Sequence, residues 1–218
     1  MGVTSVRFVE DNSPLSERLG ETLDTQNIRF EFHDRNISDP DPNISDCPFD
    51  EIDVIDGDFH YESEPLFGSP TTANGEFEIR VHSDLFLIEY EQDRPKPEKI
   101  FTSFRRLFDN LFDGEVITER FRPNRKSIRR FVERADQVIE LRVLMPSGKV
   151  NKVSIDEVEI NEYPIDSAKL RFSREKESGD EEAATVLFVD DQIRVGNGSV
   201  ELNEYIIQQF ESAMFYTN

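Results

Sequence analysis

Seven basic residues, Arg120, Arg122, Arg125, Lys126, Arg129, Arg130 and Arg134, stand within residues 119–134, "ERFRPNRKSIRRFVER", against two glutamates. Guanidinium forks at this density suit one kind of chemistry, the recognition of oxyanions, either carboxylates or phosphates, by paired N–H donors. Turned at about 100° per residue, the stretch 125–135 separates into two faces. Ile128, Phe131, Val132 and Ala135 form an apolar stripe. Lys126, Arg130 and Arg134, spaced by four, point away from it, with Arg125 and Arg129 on its flanks. Three occupants suit such a face. One is an external partner, protein or nucleic acid, and a second is the chain's own carboxylates, above all those of the Asp-rich segment 34–58. The third is a small phosphorylated ligand.

Two sets of carboxylates offer metal chemistry instead. In "DVIDGDFHYE", Asp53, Asp56, Asp58 and His60 lie close together, and on an extended strand Asp58 and His60 share a face. In "SDLFLIEYEQ", Asp84, Glu89 and Glu91 lie along an apolar strand, as carboxylates do in metal-dependent nucleases. Those enzymes usually carry a Lys two residues after the Glu, and Glu91 stands in that place. A metal-dependent nuclease or phosphodiesterase using Asp84, Glu89 and Glu91, or Asp56, Asp58 and His60, is therefore the alternative to a binding protein.

Nothing points to nucleophilic catalysis. The histidines are His33, His60 and His82, and no G-x-S-x-G elbow accompanies them. "VGNGS" (195–199) lacks the continuation of a dinucleotide fingerprint, and P-loop, EF-hand and Cys/His zinc spacings are absent. The expectation is a protein with no catalytic residue, no metal and no cofactor.

The elements that position these groups follow from periodicity. "VTSVRFV" and "NIRFEFH" alternate as strands, and Leu15, Leu19 and Leu23 after Ser13-Pro14 predict a short helix between them. Asp56-Gly57 predicts one hairpin turn and His82-Ser83-Asp84 a second. The segment "DRNISDPDPNISDCP" (34–48), with three prolines, reads as an extended loop. Ile100, Phe101, Phe104, Leu107, Phe108, Leu111 and Phe112 recur at helical spacing, and Asn124 caps a further helix over about 125–137. Six short strand patterns follow, interrupted by a charged loop at 173–184, and a last helix covers 203–215. Strands in groups with helices between them predict an α+β fold, with mixed or mainly antiparallel sheets, about four helices and two lobes. The lobes divide as 1–95 and 96–218, unless they form one continuous domain.

Composition sets the surroundings. The net charge is -21, from 46 Asp and Glu against 25 Lys and Arg, and only seven of those basic residues are Lys. Yet residues 99–134 hold ten basic and five acidic residues, a local +5. With 18 Phe the chain has ample material for a core, so acidity is not a sign of global disorder. In molar salt the Debye length falls to about 3 Å and dense carboxylates hardly repel one another. The pattern resembles proteins of salt-in halophilic archaea. Cys47 is the single cysteine, which excludes an intrachain disulfide. No apolar run nears the roughly 18 residues of a membrane span. No secretory leader is visible at residues 1–11, and the expected location is the cytoplasm. From 76 to 148, a strand pair, a Phe-rich helix, a strand, a basic-backed helix and a strand ending "MPSG" follow in order. This layout resembles uncharacterised prokaryotic families, some encoded near phage-defence genes or mobile elements. The resemblance covers about a third of the chain and implies a context, not a set of catalytic residues.

Overall fold

The computed structural model describes residues 5–10, 15, 17–25, 27–63, 69–90, 95–111, 117–120, 123–154, 163–176, 179–189, 192–196 and 198–215. Contacts gather the chain into two compact units, Met1–Asp39 with Glu51–Phe121, and Pro40–Asp50 with Arg122–Asn218. The contacts thus separate at 121/122, not at the expected 95/96, because the Phe-rich helix is held by the first sheet.

The first unit is a seven-stranded antiparallel sheet in the order β2-β3-β4-β5-β6-β1-β7. Its strands are β1 (Ser5–Glu10), β2 (Thr22–Asp24), β3 (Ile28–Ser38), β4 (Ile52–Ser63), β5 (Thr71–Arg80), β6 (Leu85–Tyr90) and β7 (Ile117–Arg120). One helix, α1 (Pro97–Leu111), belongs to it. Period-two alternation turns Ile28, Phe30 and Phe32 of β3 and Phe77 and Ile79 of β5 inward. The helical stripe Ile100, Phe101, Phe104, Leu107 and Phe108 meets them. Phe104 is the centre of this core, its ring centroid 3.8 Å from that of Phe30 and 4.4 Å from that of Phe86.

Two expectations fail here for identifiable reasons. Asp56-Gly57 is no turn: β4 runs straight through it and pairs with β3 and β5. Gly57 lies opposite Phe77, and Phe59 lies opposite Gly75, a reciprocal pairing across the two strands. A Cβ on Gly57 would stand 2.2 Å from the Glu31 carbonyl oxygen and 2.6 Å from the Phe77 ring. The glycine is there to let a ring lie against the backbone, not to reverse the chain. The leucine helix does not extend as expected: Leu15 is helical, with most of its neighbours outside the described residues, but the chain has left the helix by Leu19. Thr22–Asp24 is an edge strand on β3, and Gly20 turns the chain into it at φ 76°. Leu15 and Leu23 are buried while Leu19 is 39% exposed, so their spacing of four does not mark one face. The hairpin at His82-Ser83-Asp84 forms as expected, with Asp84 at φ 54° closing the turn.

The second unit is a five-stranded antiparallel sheet in the order β12-β11-β10-β8-β9. Its strands are β8 (Gln137–Leu144), β9 (Val150–Val153), β10 (Ile165–Glu175), β11 (Glu181–Val189) and β12 (Gln192–Val195). Helices α2 (Arg125–Glu133) and α3 (Val200–Phe215) complete it. Phe131 of α2 stacks on Phe172 of β10 at 5.3 Å and meets Phe210 of α3 edge-on at 5.1 Å. The charged segment 173–184 is not a long loop. β10 and β11 stay paired as far as Glu175 and Glu181, so only the tip between them is irregular.

The fold is α+β with two antiparallel sheets, and three helices stand among the described residues where about four were expected. Among those residues no helix is long and apolar enough to cross a membrane.

Candidate functional site

Helix α2 begins where the sequence says it should. The Asn124 side chain accepts a hydrogen bond from the Ser127 backbone N–H at 3.0 Å, which satisfies one donor at the helix start. Ile128, Phe131 and Val132 are buried, as the apolar stripe requires. Ser127 is buried too, its hydroxyl donating to the Met214 carbonyl at 3.3 Å. The seven basic residues then divide by what they touch.

Arg134 is committed to structure. Its guanidinium grips both carboxylate oxygens of Asp46, with Nη1 donating to Oδ1 at 3.0 Å, and also donates to Gln209 Oε1 at 2.8 Å. The side chain is only 17% exposed. Asp46 lies in the proline-rich segment between β3 and β4. A second fork, Arg174, reaches Asp41 in that segment at 3.0 Å, and the Asp41 backbone N–H donates to Gln208 Oε1. Residues 40–50 are therefore held within the second unit by Arg134, Arg174 and Gln208, with Ile44 buried and Phe49 meeting Phe215 at 6.0 Å between ring centroids. For this residue the internal reading of the basic stretch is the correct one, and the acidic partner is the segment expected to supply it.

Arg129 makes an exposed i,i+4 pair with Glu133 at 2.7 Å, a contact worth about 0.3–0.5 kcal/mol and screened by salt. Arg130 is half-buried and already engaged. Arg125 and Lys126 are exposed, and their side chains have no hydrogen bond or ion pair among the described residues. Arg120 belongs to β7 by its backbone, and Arg122 lies outside the described residues. Among the described residues of this stretch, the basic side chains that remain exposed and uncommitted to the rest of the fold are those of Arg125, Lys126 and Arg129.

The position of the first two is electrostatically adverse. They occupy the first turn of α2, which holds no acidic residue. The positive end of a helix favours carboxylates there by about 0.3–1 kcal/mol over cations. In a chain with 46 carboxylates to place, two cations at that end have no carboxylate partner among the described residues.

Among the described residues the expected carboxylate sets do not converge. Asp56, Asp58 and His60 share one face of β4, as alternation predicts, but they do not gather about one point. Asn36 donates to Asp56 at 2.6 Å, His33 stands 3.9 Å from Asp56 and 3.4 Å from Asp58, and His60 meets Asn74 at 2.6 Å. Asp84 is in the β5–β6 turn, while Glu89 is five residues along β6, about 16 Å away at strand rise. Glu91 lies outside the described residues. Glu89 faces Glu76 directly across the strands. Burial, and then the Glu76 charge, raise its pKa above the ordinary carboxylate range.

One metal-like cluster was not visible in the sequence. Glu51, Asp53 and His82 bring a ligand atom each within 4.8 Å of one another. However, Asp53 is fully engaged: Arg35 Nε donates to one oxygen at 2.8 Å and Nη2 to the other at 2.5 Å. That guanidinium already supplies the positive charge a cation would bring, and it would repel one. The cluster is an ion-pair network at the end of the first sheet. It could not be anticipated, since it joins β3, β4, the residue before β4 and the β5–β6 turn.

Compared with known proteins, the chain matches no family model, no curated protein and no solved structure.

Proposed function

We propose that the protein works by binding, and that the start of helix α2 is the recognition surface for an acidic partner protein. Arg125 and Lys126, extended by Arg129, form the contact. The observation that carries this reading is their placement: exposed, unpaired among the described residues, and set against the helix dipole.

An acidic protein suits the surface better than nucleic acid does. Polyphosphate binding draws its affinity from counterion release, with log K falling by about 0.9 per phosphate contact for each tenfold rise in salt. Three cations, one of them shared with Glu133, give little affinity by that route in a salt-rich cytoplasm. Carboxylates held by planar forks depend more on geometry and less on the ion atmosphere.

The test is capture in molar KCl with purified bait, comparing the native chain with Arg125→Glu/Lys126→Glu. The reading expects a discrete protein partner that is retained after nuclease treatment and lost with the double reversal. Capture that the reversal leaves unchanged, or that nuclease abolishes, rejects it.

A further inference from the structure

Helix α1 has a second face that its packing does not use. Opposite the phenylalanine stripe, Lys99, Ser103 and Arg106 line one wall of a cleft of about 500 Å³, and Tyr61 of β4 and Asn27 of the β2–β3 turn line the other. The volume falls within the range of about 300–1,000 Å³ common for small-molecule sites. Every one of these residues belongs to the first unit.

Four donors in this cleft have no protein partner among the described residues. Lys99 and Arg106 are exposed, lie two turns apart on one flank, and make no side-chain hydrogen bond or ion pair among the described residues. The adjacent Arg105, by contrast, stands 3.7 Å from Asp109. Ser103 is half-buried and its hydroxyl has no partner among the described residues, whereas neighbouring Thr102 turns its hydroxyl back to the Glu98 carbonyl at 2.7 Å. Tyr61 is the sharpest case. Its ring is sunk in the phenylalanine core and the residue is 4% exposed, yet its hydroxyl has no protein partner among the described residues. A buried tyrosine hydroxyl ordinarily finds one. Tyr90, in the same core, donates to the Pro95 carbonyl at 2.7 Å. The Tyr61 hydroxyl is not sealed from solvent, and Tyr61 lines the cleft.

An ammonium, a guanidinium and two hydroxyls facing one space, against the single carboxylate of Glu98, define a ligand rich in acceptors and negatively charged. Lys99 and Arg106 are separated by about 10 Å along the helix axis, a span that their long side chains can close on one anion from either side. A phosphate dianion brings nearly twice the charge of a carboxylate and a third acceptor oxygen for the hydroxyls. We propose that this cleft binds a small phosphomonoester. Its dianion sits between Lys99 and Arg106, the Tyr61 and Ser103 hydroxyls donate to its oxygens, and Asn27 contacts the polar body.

The probe is ribose 5-phosphate, titrated into the full-length, isotopically labelled chain and followed by backbone amide NMR. Inorganic phosphate, ribose and ionic-strength-matched KCl run in parallel. Saturable shifts at Lys99–Arg106 and Tyr61–Ser63 with ribose 5-phosphate, absent with KCl and ribose, support the site. Inorganic phosphate shifting the same amides more weakly assigns the affinity to the phosphate group. Arg106→Gln should weaken binding at least about tenfold, and Tyr61→Phe, which keeps the ring in the core, about three- to tenfold. Absence of saturable shifts in the native chain overturns the proposal. So does saturable binding that both variants leave unchanged. Neither variant touches α2, so this outcome is independent of the partner-capture test.

Discussion

Helices α1 and α2 are both amphipathic, both rest on an antiparallel sheet through phenylalanine, and both carry basic residues outward. They differ in what those residues do. In α1 the apolar stripe carries the packing, with Phe104 touching rings from several strands. In α2 the apolar contact is smaller, and polar bonds add to it: Arg134 to Asp46 and Gln209, and Ser127 to Met214. A large apolar face leaves cations uncommitted along a whole flank, whereas a small one recruits them. Lys99 and Arg106 are spare along the length of α1, while in α2 only the first turn escapes recruitment.

The comparison can be broken most forcefully at the apolar end. Phe104→Ala should cost about 3–5 kcal/mol, because it removes the ring at the centre of the first core. A shift in the urea midpoint of less than about 1 kcal/mol would mean that the stripe does not carry α1. Next in size is Arg134→Ala. Leaving Asp46 without its fork should cost about 1–3 kcal/mol, and amide exchange at Ile44 should accelerate as residues 40–50 loosen. Unchanged exchange there would show that the segment is held by something other than the arginines.

A smaller effect comes from Glu89. Its folded pKa is raised, so the folded state binds its proton more tightly than the unfolded chain does. Stability is then lost as pH rises from the ordinary carboxylate value through the raised one. Glu89→Gln should stabilise at neutral pH by less than about 1 kcal/mol, given its partial exposure, and the gain should vanish below the ordinary carboxylate range. A gain that persists at low pH would assign the effect to packing instead. The smallest effect is expected for Lys99→Gln and Arg106→Gln, each within about 0.5 kcal/mol of the native chain.

Much of this architecture is legible in local pattern. The alternation of β3, the hairpin at Asp84, the α1 stripe and the Asn124 cap each depend on neighbours within a few residues, and each appears where expected. What was missed depends on partners far along the chain. Asp56-Gly57 carries the composition of a turn, but its meaning is set by Phe77 across the sheet. Leu23 has helical spacing from Leu15 and Leu19, yet pairing with β3 decides its state. The basic ridge was read as one surface because a helical wheel shows direction and not occupancy. Asp46 takes one end of it from 88 residues away. Tyr61 gave no signal at all, since an aromatic in a strand is ordinary until its hydroxyl is seen to lack an acceptor.

The central claim is that Arg134 belongs to the fold and that Arg125 and Lys126 do not. The most direct measurement is the thermal midpoint of Arg125→Gln/Lys126→Gln beside that of Arg134→Gln, in one buffer of low salt. The account predicts opposite signs. Removing the first pair relieves two cations from the positive end of α2 and raises the midpoint, while removing Arg134 lowers it. If the double variant also falls, Arg125 and Lys126 are structural and the start of α2 is not a recognition surface.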